Sequence, residues 1–393
     1  MCGYGRPRAD QAAVATTRER RARGATTAIF FMTGWVYAAW ATRLPTIKHD
    51  LGLSDGELGA AILGLEAGAI VGLPAGGALV ARVGSRRALR LGFAILPCAL
   101  VAVAAAPGLA LLAGALALMA AATSVVDVAM NAQGVELERR YERPILSGLH
   151  AGHPFGLAAG GVAGTAAAAA NLPVLAHFAV AAGIGMVSVR AATAFLVSER
   201  AAAGQPALAR PSGRLVSLGV IAFCAFLLDG AAYNWSAVHL RSEHSASAGV
   251  AAAAFTALAL ALAVGRLFGD RLVARFGRVR VVQGCGAIAA AGSTLAIAAP
   301  TAALALAGWA LFGLGLAALA PTLLGAAPSA GDGSPAVAIA AVTTMGYFGS
   351  FTGPPLIGVL ADLTSLSAAL GMLVAVSALM LALAPRVSPR RAP

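Results

Sequence analysis

Four polar side chains, Asp127, Asn131, His150 and His153, lie close together in a chain built mostly of Ala, Leu, Gly and Val. Asp127 and Asn131 are four residues apart, so a helix would place them on one face. A carboxyl, a carboxamide and two imidazoles can bind a polar solute, and a carboxyl in apolar surroundings can also bind and release a proton. We therefore predict that Asp127 is a proton-coupling residue and that Asn131, His150 and His153 bind substrate.

The elements that carry these residues are predicted to be membrane-spanning helices. The chain has 393 residues, of which 59% are hydrophobic and 11% charged, and its mean hydropathy is +0.82. A helix needs about 20 apolar residues to cross a bilayer, and the sequence contains about twelve such runs. The expected fold class is an all-α polytopic membrane protein with about twelve transmembrane helices in two pseudo-symmetric bundles. The predicted spans are 25–43, 57–80, 88–106, 109–136, 145–170, 173–196, 214–240, 248–271, 280–299, 302–327, 335–360 and 366–385.

These spans bring the four polar residues to similar depths. The fourth span descends toward the inner side, which places Asp127 roughly 14 Å and Asn131 roughly 8 Å from its inner end. The fifth span rises again, which places His150 at roughly 8 Å and His153 at roughly 12 Å. The two pairs are therefore expected to face each other in one pocket. The alternative for Asp127 and Asn131 is a polar pair that holds helices together, and for each histidine a hydrogen bond to a backbone carbonyl.

The formal charge of +12 is distributed unevenly along the chain. Of the 28 Lys and Arg residues, only Arg43, Lys48 and Arg241 fall in predicted outer loops, and the rest lie in the tails, in the inner loops or near inner helix ends. This bias predicts that both termini are cytoplasmic. The sequence shows no free basic domain for nucleic acid, and we expect a multi-pass protein of the bacterial cytoplasmic (inner) membrane.

Two sequence matches with the same offset indicate a duplicated six-helix unit. ARVGSRR at 81–87 matches ARFGRVR at 274–280, and Phe-Gly-x-x-x-Gly at 155–160 recurs at 348–353, each 193 residues later. Internal repeats of this kind are typical of transporters. The predicted organisation is a basic cytoplasmic N-tail (1–24), a first bundle (25–196), a cytoplasmic linker (197–213), a second bundle (214–385) and a cytoplasmic C-tail (386–393).

The loop after the second span resembles the motif G-x-L-x-D-R-x-G-R-R of the major facilitator superfamily. The matching residues are Gly77, Leu79, Arg82, Gly84, Arg86 and Arg87, whereas Ala81 and, in the second copy, Ala274 replace the Asp. The resemblance implies that two bundles rock around a central site. It also implies gating loops that contain Arg82, Gly84, Arg86, Arg275 and Gly277. Without the Asp, one member of the charge pairs that hold the inner gate is missing.

Shorter stretches resemble the YbjJ-like branch of that superfamily, which is close to the fucose/proton symporter group. They are 43–59, DVAMNAQG from residue 127, 148–156, 229–235 and 346–358. In the symporter group, an acid of the fourth helix with a nearby Asn couples to protons, and polar residues of the fifth helix contact substrate. The resemblance implies these roles for Asp127, Asn131 and the two histidines. Ala41 stands where that group has a further acid, so Asp127 would have to suffice alone.

Other residues within the spans are further candidates. Glu66 is predicted as a second proton-coupling acid, with a helix-packing hydrogen bond as the alternative. Substrate contacts are also expected from Trp40, Asn234, Trp235 and Tyr347, although Trp and Tyr are common in the interfacial belt of membrane proteins. Helix packing is expected from the stripe of small residues Gly152, Gly156, Gly160 and Gly164. The family resemblance implies that this groove lies between the two halves.

The predicted function is secondary active transport of a small polar solute by alternating access, with proton-coupled symport and a sugar-like metabolite as the expected case. The alternatives are a proton-driven drug or metabolite efflux antiporter, a membrane-embedded enzyme and a solute sensor. The sequence has no GxxxxGK[ST] loop, no catalytic motif and no metal-ligand spacing. We therefore expect no enzyme activity, no catalytic residues, no cofactor and no metal. The expected partners are the solute, protons and the lipid bilayer, and we expect a monomer.

Overall fold

The computed structural model describes residues 16–141, 145–198, 213–330 and 335–387, and every regular element in these ranges is helical. The first half contains α1 (Thr17–Asp50), α2 (Asp55–Val83), α3 (Ser85–Ala105), α4 (Leu109–Tyr141), α5 (Leu146–His150), α6 (Gly152–Ala169) and α7 (Val174–Ala192). The second half contains α8 (Gly213–Glu243), α9 (Ala248–Arg266), α10 (Gly269–Ala298), α11 (Ala302–Leu316), α12 (Leu319–Ala326), α13 (Pro335–Leu363) and α14 (Leu366–Leu383). A 3-10 turn at Ala327–Ser329 follows α12, and a second at Ala384–Val387 follows α14.

Twelve membrane passes are built from these helices. The short α5 and α6 together form the fifth pass, and α11 and α12 form the tenth. The eighth pass consists of α9 and the start of α10, and α10 turns at Gly277, where its backbone is not helical, to begin the ninth. Within the described ranges, nine helical segments are long and apolar enough to cross a membrane by themselves. The predicted all-α class with two six-helix bundles is confirmed.

The predicted tails and linker lie largely outside the described residues. The parts of the tails and the linker that the structure does not describe are 1–15, 199–212 and 388–393. The helix α1 begins at Thr17, before the predicted first span, because Thr16 and Glu19 form a capping box. In this box the Glu19 carboxylate accepts a 2.8 Å hydrogen bond from the Thr16 amide.

An even number of passes places both described termini at one end of the molecule, which we call the terminal end. The opposite end, the distal end, contains the tight connections between passes. Helices that begin there are capped by Ser54, Ser247, Thr301 and Ser365, whose side chains each accept a backbone hydrogen bond in the first turn. These caps satisfy amide groups that would otherwise lack partners, and they allow very short distal loops.

The duplication is visible in the backbone. Gly84, between α2 and α3, has φ 82° and ψ 155°. Gly277, within α10, has φ 79° and ψ 160°. Residues other than glycine rarely adopt such angles. The two positions are separated by the offset seen in the sequence, so the same turn joins the second and third passes of each bundle.

The glycine stripe of α6 packs against α1. A Cβ atom at Gly156 would overlap the carbonyl oxygen of Phe31, and the neighbouring stripe positions would meet the backbone or side chains of α1 in the same way. In the second half, a Cβ at Gly349 of α13 would overlap the carbonyl oxygen of Phe223 on α8. Each of these close contacts joins two helices of the same half, and the two contacts occupy equivalent positions in the two halves.

This geometry corrects the expectation that the glycine groove lies between the halves. The residues Gly152, Gly156, Gly160 and Gly164 all face α1. The second half is met by another face of α6, where Gly161 packs on Thr256 of α9 and Thr165 shares a 2.8 Å hydrogen bond with it. The spacing of the glycines predicted a close helix contact but could not identify the partner helix.

Candidate substrate and proton site

A polar cluster lies where the two halves meet, around Tyr37 of α1. The Asn234 carboxamide of α8 donates from Nδ2 to the Tyr37 hydroxyl at 3.3 Å. The carboxyl groups of Glu66 on α2 and Asp229 on α8 act electrostatically on the same hydroxyl. Two predicted site residues, Glu66 and Asn234, are thus brought together by a tyrosine that was absent from the predicted site.

Arg266, at the end of α9, connects this cluster to the predicted histidines. Its guanidinium acts electrostatically on Asp229 and Tyr233 of α8, and on His150 and His153 of the first half. The prediction missed this residue because it grouped Arg266 with the basic residues near inner helix ends. A usable signal was present, since residue 266 falls inside a predicted span, where any ionisable side chain is a functional candidate.

The two histidines have partners on α1. His153 Nδ1 lies 3.0 Å from Thr33 Oγ1, whose own proton is donated to the Phe30 carbonyl oxygen at 2.7 Å. Nδ1 is therefore the donor to Thr33, and the neutral ring presents Nε2 as an acceptor. The His150 ring packs on Phe30 with 4.5 Å between ring centroids, and its side chain is exposed.

Asp127 and Asn131 of α4 contact each other directly. Asn131 Nδ2 donates to Asp127 Oδ1 at 3.2 Å and to the Asp127 carbonyl oxygen at 2.9 Å. Across the halves, the Asp127 carboxyl acts electrostatically on the Tyr347 hydroxyl of α13. No hydrogen bond within the described ranges joins this pair to either histidine. The four residues that were expected in one pocket therefore fall into two groups. Asp127 and Asn131 lie with Tyr347 of α13, whereas His150 and His153 lie near Arg266 of α9.

Three carboxyl groups inside the bundle, those of Asp127, Glu66 and Asp229, lack basic partners within the described residues. The described part of the chain has ion pairs within 4.0 Å between Lys48 and Asp55, between His49 and Asp50, and between Glu136 and both Arg139 and Arg140. Asp127, Glu66 and Asp229 belong to none of them. An ionised carboxylate without a partner is costly inside a bilayer, so each of these groups can relieve its charge by binding a proton.

Two of the predicted substrate-binding residues lie in the packed core. Trp40 and Trp235 are fully buried. Trp235 Nε1 donates to the Pro354 carbonyl oxygen at 3.0 Å and so ties α8 to α13. Trp40 Nε1 is buried without a hydrogen-bond partner. Their burial favours helix packing over direct contact with a solute.

The predicted gating arginines differ in their contacts. Arg86 donates to the Leu196 carbonyl oxygen at 2.5 Å, which fastens the start of α3 to the segment after α7. Arg82 is exposed, and Arg275 is exposed with its guanidinium 5.4 Å from the centre of the Phe276 ring. Neither exposed arginine has an ion pair in the part of the chain that the structure describes. The acid of the family motif is an alanine in both copies, in agreement with this.

Hydrogen bonds join the two halves at the distal end. Asp362, near the end of α13, accepts from Ser54 Oγ at 3.0 Å and from the Gly56 amide at 2.8 Å, both at the start of α2. The bond between Thr165 and Thr256 adds a second link. The exposed histidine of the fifth pass lies nearer the terminal end. The hydrogen bonds of Asp362 and of Thr165 hold the two halves together at the distal end.

Comparison with known proteins places both halves in one family. A family model described as the Major Facilitator Superfamily matches residues 25–219 and 218–393. An uncharacterised MFS-type transporter of Yersinia pestis is 33% identical over 348 residues, which are 87% of this chain and 89% of that protein. A mutant of the nucleoside transporter NupG superimposes with TM-score 0.75 at 12% identity, over 93% of this chain and 99% of that one. The Escherichia coli fucose:proton symporter FucP superimposes with TM-score 0.62 at 17% identity, over 94% of this chain and 98% of that one.

Proposed function

The chain belongs to the Major Facilitator Superfamily, and we propose that this multi-pass transporter carries a small polar solute by proton-coupled symport. The two bundles would rock about their interface and expose a central site to each side in turn. The hydroxylated solutes in the names of the nucleoside transporter and of the fucose:proton symporter support a hydroxylated, sugar-like substrate. At these identities the two structures support the fold, and the solute class remains the proposal.

The junction at Tyr37 is the observation that carries the proposal. One hydroxyl receives a hydrogen bond from Asn234 of the second half and lies in the field of Glu66 from the first half and Asp229 from the second. Asn234 and Tyr37 belong to different halves, so their hydrogen bond must break when the bundles rock apart. A solute bound between the halves would then take the place of this contact. Polar groups that pair only in some states of the cycle are what alternating access requires.

We assign proton binding first to Asp127 and second to Glu66. Both are carboxyl groups of the first half that lie among apolar helices and have no ion-pair partner in the described residues. Asp127 also faces Tyr347 across the interface, so its charge is felt by both halves. Asn131, His150, His153, Asn234 and Tyr347 are the proposed substrate contacts.

We further propose that the protein lies in the bacterial inner membrane as a monomer with both termini in the cytoplasm. The concentration of arginine at the terminal end supports this orientation. The domain boundaries of the two bundles, the linker and the tails are kept as predicted from the sequence. Arg82 and Arg275 then face the cytoplasmic headgroups on the outer surface of the turns at Gly84 and Gly277.

Flux measurement in proteoliposomes tests the proposal. Vesicles with internal pyranine would receive L-fucose, uridine or D-gluconate, with and without an inwardly directed proton gradient. Symport predicts that a transported solute accumulates and that the vesicle interior becomes more acidic as it enters. Alkalinisation during uptake would instead indicate antiport, and turnover of a solute without compartments would indicate an enzyme. Either result overturns the proposal.

A further inference from the structure

The guanidinium of Arg266 has hydrogen-bonding capacity that no protein group uses. Its Nε is buried without a hydrogen-bond partner. Among the described residues, no carboxylate forms an ion pair with it within 4.0 Å. The Arg266 side chain as a whole is half-buried, and a cation inside a membrane protein normally faces a counter-charge or a wet cavity. Arg266 lies at the interface of the halves, since it acts on His150 and His153 of the first half and on Asp229 and Tyr233 of the second.

Asp229 faces Arg266 but does not pair with it. The two charges interact electrostatically, yet their separation exceeds that of a salt bridge. Asp229 Oδ1 is also buried without a hydrogen-bond partner. Because the two side chains are held apart, Arg266 Nε remains a donor without a partner and Asp229 Oδ1 an acceptor without a partner. A bound group that accepts hydrogen bonds in the plane of the guanidinium would satisfy Arg266 directly.

The groups around Arg266 suit the remainder of a hydroxylated molecule. His153 presents Nε2 as an acceptor, because its Nδ1 donates to Thr33. The Tyr233 hydroxyl donates a hydrogen bond to the Asp229 carboxylate and keeps its oxygen as an acceptor. An acceptor nitrogen and a phenolic hydroxyl can bind the hydroxyl groups of a solute. These groups come from both halves, so a solute bound here would bridge the bundles.

We propose that Arg266 binds a carboxylate of the transported solute, so that the substrate is a small hydroxylated monocarboxylate, such as a sugar acid, rather than a neutral sugar. The proposal rests on the proposed transport function, whose substrate class it narrows. A guanidinium matches a carboxylate in planar, bidentate geometry. One cation balances one negative charge, and Arg266 is the cation that acts on His150, His153, Asp229 and Tyr233. A phosphate monoester would bring a second charge without a counter-ion.

Charge balance predicts that Arg266 and Asp229 have opposite effects on binding of the acid. A solute carboxylate at Arg266 would take the place of the Asp229 charge, so Asp229 would have to bind a proton when the acid binds. Removal of Arg266 should therefore weaken binding of the acid, whereas removal of the Asp229 charge should strengthen it. A site built for a cationic or neutral solute would show the opposite sign at Asp229 or no effect at Arg266.

Binding to the purified, detergent-solubilised full chain tests the inference without any gradient. D-gluconate and D-glucuronate are compared with D-glucose by thermal shift and isothermal titration. We expect stabilisation by an acid and not by glucose. Arg266→Gln should weaken binding of the acid about 10- to 100-fold, which is the effect expected from loss of a charged hydrogen bond. Arg266→Lys should retain part of the affinity, and Asp229→Asn should tighten it several-fold.

Matched controls are Arg271→Gln and Asp270→Asn, which change exposed residues at the start of α10 and should leave the binding constants unchanged. The thermal transition of each variant without solute shows whether it folds, and Arg266→Lys keeps the charge if Arg266→Gln does not fold. Stabilisation by neither acid, or equally by glucose, overturns the inference. Acid binding without flux in proteoliposomes would overturn the transport proposal alone, whereas flux of a neutral solute without acid binding would overturn only this inference.

Discussion

Asp362, at the end of α13, accepts a 2.8 Å hydrogen bond from the backbone amide of Gly56 in the first turn of α2. The carboxylate of one half thus caps a helix N-terminus of the other half, where the helix dipole favours negative charge. Ser54 Oγ donates to the same carboxylate. This contact holds the distal end closed, on the side opposite to the family's gating loop, whose acid is alanine here.

Asp362→Ala should therefore favour opening of the distal end. Loss of a capping interaction costs about 1 kcal/mol, which corresponds to a roughly fivefold shift between states. Spin labels at Leu172→Cys, in a distal loop of the first half, and at Ser242→Cys, in the last turn of α8, would measure the change by electron–electron double resonance in a cysteine-free background. We expect a larger population of long distances. Asp50→Ala, a change of an exposed distal carboxylate, is the control, and an unchanged distribution in Asp362→Ala would refute the capping role.

Gly156→Val should destabilise the first bundle. A Cβ atom at this position would overlap the Phe31 carbonyl oxygen of α1, and overpacking of this kind costs about 1–3 kcal/mol. The thermal midpoint of the purified protein should fall by several degrees. Gly114→Ala serves as the control, because a Cβ there meets no atom within 4 Å, and its midpoint should stay level or rise. Equal midpoints for both variants would show that the helices can separate freely at Gly156.

Gly277→Ala isolates the effect of backbone conformation. Its φ of 79° disfavours any residue with a Cβ, although the added atom would meet nothing within 4 Å. The expected cost is about 1–3 kcal/mol. Gly284→Ala, about two turns further along α10, has the same open space but ordinary helical angles, so it should not be destabilised. If both variants melt alike, the turn at 277 does not require glycine.

The fold was predictable because membrane burial leaves a strong signal. Long apolar runs give the passes, and the repeated offset gives the two halves. The positions Gly84 and Gly277 even share a backbone conformation. Break positions within a pass, such as the interruption between α5 and α6 at Ala151, leave no comparable trace, since hydropathy is continuous through them.

The site was predictable only within single helices. The spacing of Asp127 and Asn131 placed them on one face, where they form a hydrogen bond. Their neighbours on other helices depend on which helices pack together, and spacing carries no information about that. Trp40 and Trp235 illustrate the same limit, because a pass that is apolar on all sides does not reveal which face turns to the core. Both indoles are fully buried.

Asp127→Asn in proteoliposomes, with Glu66→Gln measured in parallel, tests whether Asp127 carries the coupled proton. Asparagine retains the size of the side chain and the contact with Asn131 but cannot carry a proton. We expect solute exchange between equal concentrations to continue in both variants, whereas accumulation driven by a proton gradient is lost in Asp127→Asn and at most reduced in Glu66→Gln. Accumulation by Asp127→Asn at the level of the unchanged protein would contradict the assignment of proton coupling to Asp127.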